Sequence, residues 1–309
     1  GNNEVSFGTD ANGLTEAQLA QITLNGSTPL INNSGQIYTA EISQSTFTNS
    51  GGDNLWSNAA NWSAGIPNVD TAKIIVDADL IVDSNKTVAQ IKTAISSADS
   101  VTITATNDAI LTITGVGVGQ PIQNNKSAGS FVFDLPVVFD SSEDATETLR
   151  FNSGGDQSIT FSKSLTLNDP LTVSGVNKNH DLNINGSLLG SANLIFSNKT
   201  QANFGTAYDG SSYNSDIIAA GAGTNNNNVT LISNVAEDGT FLKSGGLLNV
   251  TKDGNKIIVN GKNTLKGNIA VNDSDPSLTI NANQSAVGTI TMGTGTLSLV
   301  LATDVTSLA

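Results

Sequence analysis

Short runs of alternating apolar and polar residues recur along the chain from about residue 72 onward. Within them Val, Ile and Leu take every second position, as Leu165 and Leu167 do, or Leu278 and Ile280. A period of two is typical of β-strands with one buried face. The clearest runs predict strands at residues 72–76, 100–105, 110–114, 130–133, 136–139, 158–161, 164–167, 181–184, 193–196, 229–232, 256–259, 277–280, 289–292 and 296–301.

The spacing of these strands is compatible with a sandwich, a barrel or a solenoid. Two features favour the solenoid: each strand offers only two or three inward residues, and the connectors are rich in Asn and Gly, which tolerate the left-handed backbone of tight corners. Aromatic anchors, which sandwich cores usually carry, are scarce at 5% of residues. We therefore predict an all-β fold, a right-handed parallel β-helix over residues 76–309, with about 25 residues per coil and Asn side chains stacked between coils. A pair of β-sandwiches remains the alternative.

The first 38 residues have a different pattern, and we call them the arm (residues 1–38). A strand is predicted at residues 3–7, and Thr15 with Gln18 forms a capping box that predicts one short helix. Further strands are predicted at residues 22–24 and 36–40. So small a unit cannot bury a core of its own and is expected to dock on something else.

Residues 39–75 contain both tryptophans of the chain, Trp56 and Trp62. A solenoid end that is left uncapped exposes an apolar cross-section and open strand edges. We predict that residues 39–75 cap one end of the β-helix through Trp56 and Trp62. In the alternative interpretation the two rings stack on sugars, with Tyr38 nearby in sequence.

Composition narrows the class of function. The chain has 13 Lys+Arg against 27 Asp+Glu, a net charge of −14 and no Cys. An acidic protein is a poor partner for nucleic acid or an anionic membrane, and no apolar run is long enough for a spanning helix. The first residue is not Met and no basic-plus-apolar leader precedes it, so we expect a secreted, extracellular protein whose signal peptide has been removed.

Candidate chemistry is sparse, because the chain has one histidine, His180, and one arginine, Arg150. We expect His180 to be a solvated corner residue and Arg150 to pair with a carboxylate on a neighbouring coil. Polysaccharide hydrolases and lyases of the β-helix type need clustered acids with His or Arg, so no catalytic residue is predicted. No cofactor is expected, although residues 141–144 (SSED) and 272–275 (NDSD) offer oxygen ligands that could hold Ca²⁺.

Residues 55–63 read LWSNAANWS, and GIPN and DTA follow at residues 65–68 and 70–72. This stretch resembles the opening of autotransporter-associated β-strand repeat proteins, which are secreted bacterial β-helix surface proteins. Residues 182–190 (LNINGSLLG) and 193–196 (NLIF) are similar to the coil motif of that family. The resemblance implies a β-helix and a location at the cell surface.

Residues 5–22 (VSFGTDANGLTEAQLAQI) resemble a segment that in the same family finishes the β-helix. In this chain the segment comes first. The resemblance implies that it still finishes a β-helix, which would then be that of a neighbouring molecule.

These observations predict a non-catalytic structural protein, the subunit of a head-to-tail filament or matrix fibre whose main partner is a second copy of itself. The arm of one subunit would complete the open strand edge at residues 297–301 of the next. Two alternatives stay open: the arm folds back on its own β-helix, or the protein is a monomeric adhesin or a polysaccharide-binding or polysaccharide-degrading protein. The predicted interface anchors are Val5, Phe7, Leu14, Leu19 and Ile22 in the arm and Leu297, Leu299 and Leu301 at the edge.

Overall fold

A computed structural model describes residues 43–301 with short gaps, and a few residues of the arm: Gln18, Gln21, 30–31 and 37–38. The gaps are residues 68, 95–99, 117, 126–128, 142–146, 152–154, 176–179, 222–227, 253, 273–274, 285–287 and 294–297. Strands dominate the described part, and its helical content is a 3₁₀ turn at Ala59–Asn61 together with Gln18.

The described strands are short, from two to six residues, and we number them in chain order. The first ten are β1 (Leu30–Ile31), β2 (Ile37–Tyr38), β3 (Gln44–Phe47), β4 (Lys73–Val76), β5 (Leu80–Val82), β6 (Lys86–Val88), β7 (Gln90–Thr93), β8 (Val101–Ala105), β9 (Leu111–Ile113) and β10 (Ile122–Asn124). The next ten are β11 (Gly129–Asp134), β12 (Val137–Phe139), β13 (Glu147–Phe151), β14 (Gln157–Phe161), β15 (Leu165–Leu167), β16 (Leu171–Ser174), β17 (His180–Ile184), β18 (Leu188–Gly190), β19 (Leu194–Ser197) and β20 (Thr200–Phe204). The last eight are β21 (Ile217–Ala219), β22 (Thr230–Ser233), β23 (Leu247–Val250), β24 (Lys256–Val259), β25 (Asn268–Val271), β26 (Ser277–Ile280), β27 (Ile290–Met292) and β28 (Ser298–Leu301).

Three sheets of 11, 10 and 5 strands contain all of these strands except β1 and β2. Sheet 1 contains β3, β4, β7, β10, β13, β16, β19, β21, β23, β25 and β27; sheet 2 contains β5, β8, β11, β14, β17, β20, β22, β24, β26 and β28; and sheet 3 contains β6, β9, β12, β15 and β18. From β4 to β18 the chain visits them in turn, so that β10, β11 and β12 lie in sheets 1, 2 and 3 and β13 returns to sheet 1. From β19 to β28 the described strands alternate between sheets 1 and 2.

Every ladder between the described strands of these sheets is parallel, for example β11 with β14 and β24 with β26. Residues paired in sheet 2 are 20 to 30 positions apart in sequence, as Ile184 is from Phe204 and Ile103 from Phe133. This architecture is consistent with a parallel β-helix and confirms the all-β prediction. It contradicts the β-sandwich alternative, whose sheets would be antiparallel.

Most of the predicted strands are present within a residue or two, but much of sheet 1 was not predicted from the sequence. The strands β16, β21, β23 and β25 were missed although their inward residues are apolar and alternate regularly. In β7, β10 and β13 the reason is that polar side chains occupy inward positions, as Gln90, Asn124 and Glu147 do. Asn124 accepts a hydrogen bond from Thr93 Oγ1 at 3.1 Å and donates to the Ser158 carbonyl at 3.0 Å, so its burial is compensated. Such residues break the apolar alternation without breaking the strand.

Aromatic residues contribute more to the core than their overall frequency suggested. Nine of the ten phenylalanines are buried, and the tenth, Phe7, lies outside the described residues. Phe133 and Phe161 are paired in register, and their rings stack with centroids 5.1 Å apart. The expectation that the core lacks aromatic anchors was therefore wrong, because the few rings are concentrated at inward positions of successive coils.

The corners and the ladders use the abundant Asn. Five of the eight described non-glycine residues with positive φ are Asn and two are Asp, as expected for left-handed corners. Asn260 donates to Asn234 Oδ1 and Asn281 donates to Asn260 Oδ1, both at 2.7 Å, which confirms the predicted stacking between coils. Gly190 has a φ of +102°, and a Cβ there would lie 2.0 Å from the Leu167 carbonyl oxygen, so only glycine fits.

Little of the arm is described. Gln18 is helical and the Gln21 N–H donates to its carbonyl at 3.1 Å, where the short helix was predicted. Ile37–Tyr38 forms β2, within the predicted strand at residues 36–40, and pairs antiparallel with Leu30–Ile31. The predicted strands at residues 3–7 and 22–24 lie outside the described residues.

Candidate functional site

The candidate site consists of the two ends of the sheets, because strand edges and apolar cross-sections meet there. The N-terminal end carries both tryptophans, and they are 1% (Trp56) and 5% (Trp62) exposed. Their ring centroids are 4.9 Å apart in an edge-to-face arrangement, and Trp62 also packs edge-on against Phe47 at 5.1 Å. So little exposed ring leaves no face for a sugar to stack on.

Polar contacts fix the two rings in place. Trp62 Nε1 donates to the Trp56 carbonyl at 2.8 Å, and the Lys86 ammonium lies 6.0 Å from the centre of the Trp56 ring. The second contact is of the cation–π type. Both tryptophans are thus held by the first coil, at the end where the sequence predicted a cap.

Asn61 organises the loop that covers this end, and it is 0% exposed. Its Nδ2 donates to Asp53 Oδ1 at 2.7 Å and to the Leu55 carbonyl at 2.9 Å, and its Oδ1 accepts from the Gly51 N–H at 2.8 Å. A buried amide with all these partners specifies one loop conformation, since any conformation that broke one of these hydrogen bonds would leave a buried polar group without a partner.

The Asp53 carboxylate accepts two further hydrogen bonds, from Asn58 Nδ2 at 2.8 Å and from the Leu55 N–H at 3.1 Å. Hydrogen bonds to the ionised form favour it. The bonds from Asn61, Leu55 and Asn58 therefore lower the pKa of Asp53 below its ordinary value. Asp53 and Asn61 were not among the predicted site residues, although both lie in or beside the quoted LWSNAANWS stretch.

The edge of sheet 1 at this end is covered by residues 61–63, which run antiparallel to β3 and form one isolated bridge with it. The Thr48 N–H donates to the Asn61 carbonyl at 2.8 Å, the Ser63 N–H donates to the Thr46 carbonyl at 2.9 Å, and the Thr46 N–H donates to Ser63 Oγ at 3.0 Å. Phe47 and Trp62 form the antiparallel bridge between these bonds. The outward N–H and C=O of Thr46 and the N–H of Thr48 therefore have partners.

Sheet 2 is closed at the same end by side chains. Leu55 forms a parallel bridge with Ile81, through the bonds from Ile81 N–H to the Asn54 carbonyl and from Trp56 N–H to the Ile81 carbonyl. In a parallel pair the intervening residue turns its own N–H and C=O outward. Those two groups of Leu55 meet Asp53 Oδ1 and Asn61 Nδ2.

The C-terminal end is different. Leu299 and Leu301 are paired in register with Leu278 and Ile280, which are 0% exposed, yet they themselves are 45% and 42% exposed. Val300 is 48% exposed, and in sheet 1 Met292 of β27 is 40% exposed. In the part of the chain that the structure describes, these four are the large hydrophobic side chains that stand exposed, and they share one end of the molecule.

The outer edges of β27 and β28 have no further strand beside them among the described residues. Sheet 1 ends at β27 and sheet 2 ends at β28. Of the predicted interface residues, Leu299 and Leu301 therefore lie on the outermost described strand of sheet 2. The other predicted anchors, Val5, Phe7, Leu14, Leu19, Ile22 and Leu297, lie outside the described residues.

His180 is not the solvated corner residue that we expected. It is the first residue of β17 and 0% exposed, and its ring stacks on Phe151 with centroids 5.0 Å apart. The expectation failed because the strand begins one residue earlier than predicted, so that the imidazole occupies an inward position.

Arg150 also departs from its prediction. Its neighbours in register on the adjacent coils are Gln123 and Ser174, neither of which is a carboxylate. The ion pairs among the described residues join Lys163 to Asp134 and Lys262 to Glu237. No carboxylate of the described part is paired with Arg150.

Acidic groups come together on one outward face of sheet 2. A shallow pocket there is lined by Asp156 and Asp181 with Gly129, Ser130, Gln157 and Ser158. Partial burial and the neighbouring charge of Asp156 raise the pKa of Asp181. Within the described ranges no group of three or more His, Cys, Asp or Glu could hold a metal ion. Of residues 141–144 and 272–275, where Ca²⁺ ligands were considered, residues 142–144 and 273–274 lie in the gaps.

Comparison with protein-family models, with curated proteins and with solved structures found no match to this chain. Among the described residues there is no helix of the length and apolar character that crossing a membrane requires.

Proposed function

We propose that this protein is a non-catalytic extracellular structural protein, the subunit of a head-to-tail filament or matrix fibre. In this proposal the three sheets close into a right-handed parallel β-helix, the hand that crossover connections between parallel strands almost always take. The arm of one subunit adds to the open edge of the next.

The observation that carries the proposal is the difference between the two ends. One end is covered by buried tryptophans and has partners on its edges in sheets 1 and 2, whereas the other exposes Met292, Leu299, Val300 and Leu301 on edge strands. An edge strand with apolar side chains is a template for another strand. A contact between two different surfaces of the same chain, if it does not close into a ring, gives an open filament.

The arm has the pattern that such an edge requires. Val5 and Phe7 are two residues apart, as are Leu299 and Leu301, so a strand formed by the arm turns both of its apolar side chains to the same face. Covering two leucines that are already about half buried contributes on the order of 1 kcal/mol each, and main-chain pairing adds to this. The resemblance of residues 5–22 to a segment that finishes a β-helix is a second, independent support.

Substitutions in β28 test the proposal, because its two faces give a matched pair. Leu299→Lys/Leu301→Lys places charges on the open cross-section and is expected to abolish filaments in electron micrographs and to leave a monomer in sedimentation. Val300→Lys is the control: Val300 is equally exposed, but it is paired with the outward Thr279, so filaments are expected to persist. Filaments from the double variant, or a monomeric unsubstituted chain at high concentration, would rule the proposal out.

A further inference from the structure

A parallel solenoid has an intrinsic weakness, since each end presents one strand edge per sheet. Two copies could stack directly, with β3 of one copy continuing sheet 1 beyond β27 of another. Such stacking would need no arm and would compete with ordered assembly. Whether it can occur depends on the backbone groups at the outer edge of the first coil.

In sheets 1 and 2 most of those groups are already occupied. On the sheet 1 side, residues 61–63 begin at the end of the 3₁₀ turn, run antiparallel to β3 and bond to Thr46 and Thr48. A parallel strand cannot pair with an edge that carries an antiparallel one. On the sheet 2 side, the Asp53 and Asn61 side chains occupy the N–H and C=O of Leu55.

The same residues anchor the segment against opening. Trp62 is 5% exposed and packs on Phe47 and Trp56. Asn61 is 0% exposed and connects the two edges, because its carbonyl bonds to Thr48 on one side while its Nδ2 bonds to Leu55 and Asp53 on the other. One short segment thus closes both sheets.

We propose that residues 59–63 and the Asp53 side chain form an edge plug that prevents a second copy of this chain from pairing with the N-terminal end, so that strands are accepted at the C-terminal end alone. The inference rests on the proposed function and adds a direction of assembly to it. Every junction uses an arm and an open β28 edge, and direct stacking of one copy on another is excluded.

Amide hydrogen exchange on the full chain tests the plug without altering it. The comparison is between filaments and a full-length variant that cannot donate its arm, Val5→Asp/Phe7→Asp. We expect the Thr46 and Thr48 amides to be protected equally in both samples, and the amides of β28 to gain at least tenfold protection in filaments. Gain of protection at Thr46 and Thr48 on assembly would overturn the plug, because it would mean that the N-terminal edge accepts a strand.

Opening the plug gives a second test in the same full-length background. Ser63→Pro removes both the N–H that donates to Thr46 and the hydroxyl that accepts from it, while Ser63→Ala removes the hydroxyl alone. In the Val5→Asp/Phe7→Asp chain we expect Ser63→Pro to raise the fraction sedimenting as dimers or larger at least tenfold, and Ser63→Ala to raise it less.

The outcomes separate the two proposals. If the Val5→Asp/Phe7→Asp chain still forms filaments, the arm is not the donor and the proposed function fails. If that chain is monomeric and its Ser63→Pro derivative is folded by circular dichroism yet also monomeric, the plug fails and the proposed function stands. If Ser63→Pro does not fold, the exchange experiment decides alone.

Discussion

At the scale of single residues, the interior accepts polar groups that have partners and contains a few that do not. Tyr213 is an example of the first kind and Tyr208 of the second. Both are nearly fully buried, at 2% and 3% exposed. The Tyr213 hydroxyl donates to the Ala192 carbonyl at 2.6 Å, whereas the Tyr208 hydroxyl has no hydrogen-bond partner among the described residues. Burial raises the pKa of each hydroxyl far above its ordinary value, so both are neutral.

This contrast gives a prediction for stability. Tyr208→Phe removes a buried hydroxyl without a partner and is expected to leave the free energy of unfolding unchanged or to raise it by up to about 1 kcal/mol. Tyr213→Phe is the matched control and is expected to lower it by about 1–2 kcal/mol, because the Ala192 carbonyl loses its donor. Denaturant unfolding of the two variants measures both values. A loss of more than about 1 kcal/mol in Tyr208→Phe would contradict the assignment.

Residue-level prediction from the sequence succeeded where a side chain has a single physical preference. Inward Val, Ile and Leu were assigned correctly by alternation. It failed for His180, which is polar by type yet stacks inside on Phe151. It also missed Asn61, because one Asn in a chain rich in Asn carries no local signal, and its role depends on contacts with Gly51, Asp53 and Leu55.

At the scale of elements, the first coil contains a loop that polar contacts hold in place. The cap loop is held by the Asp53 carboxylate, which accepts bonds from Asn58, Asn61 and Leu55. Since these bonds lower the pKa of Asp53 in the folded state, its contribution is fully present above the ordinary carboxyl value and is lost as the pH falls through the lowered one.

A pH prediction follows for this loop. Asp53→Asn keeps an acceptor oxygen but removes the charge and is expected to be less stable than the unsubstituted chain at pH 7. The difference between the two should shrink as the pH falls below about 4, because the unfolded chain then takes up a proton first and the native carboxylate is protonated as the pH falls through its lowered pKa. Thermal melts of both proteins at pH 7 and pH 3 measure this difference. A gap that is constant, or that widens in acid, would show that the carboxylate does not stabilise the loop.

Elements with apolar inward residues were predicted in most cases but not in all. Sheets 2 and 3 have mostly Val, Ile, Leu and Phe inward, and most of their strands were found. Sheet 1 was found only in part: Gln90, Asn124 and Glu147 face inward in three of the missed strands, and β16, β21, β23 and β25 were missed although their inward residues are apolar. The strand β3 lies inside the region that was assigned to the cap, since Gln44–Phe47 pairs with Lys73–Val76 as part of sheet 1.

At the scale of the whole molecule, the solenoid has a direction, because its two ends differ. Its coils repeat, but its ends are chemically opposite: the N-terminal end is closed by Trp56, Trp62 and the edge plug, and the C-terminal end exposes edge strands with apolar side chains. Periodicity in a sequence predicts the repeating part well. Periodicity cannot distinguish the two ends. Whether an edge strand is covered depends on hydrogen bonds such as the one between Thr46 and Ser63, and no sequence pattern indicates these bonds.

The central claim is that one molecule donates an arm and another accepts it, and mixing two defective full-length chains tests this most directly. The donor-defective chain is Val5→Asp/Phe7→Asp, and the acceptor-defective chain is Leu299→Lys/Leu301→Lys. Each alone is expected to sediment as a monomer. The equimolar mixture is expected to form one-to-one heterodimers and nothing longer, because it contains one intact arm and one intact edge for every two chains. Monomers in the mixture, or filaments from either chain alone, would contradict the account.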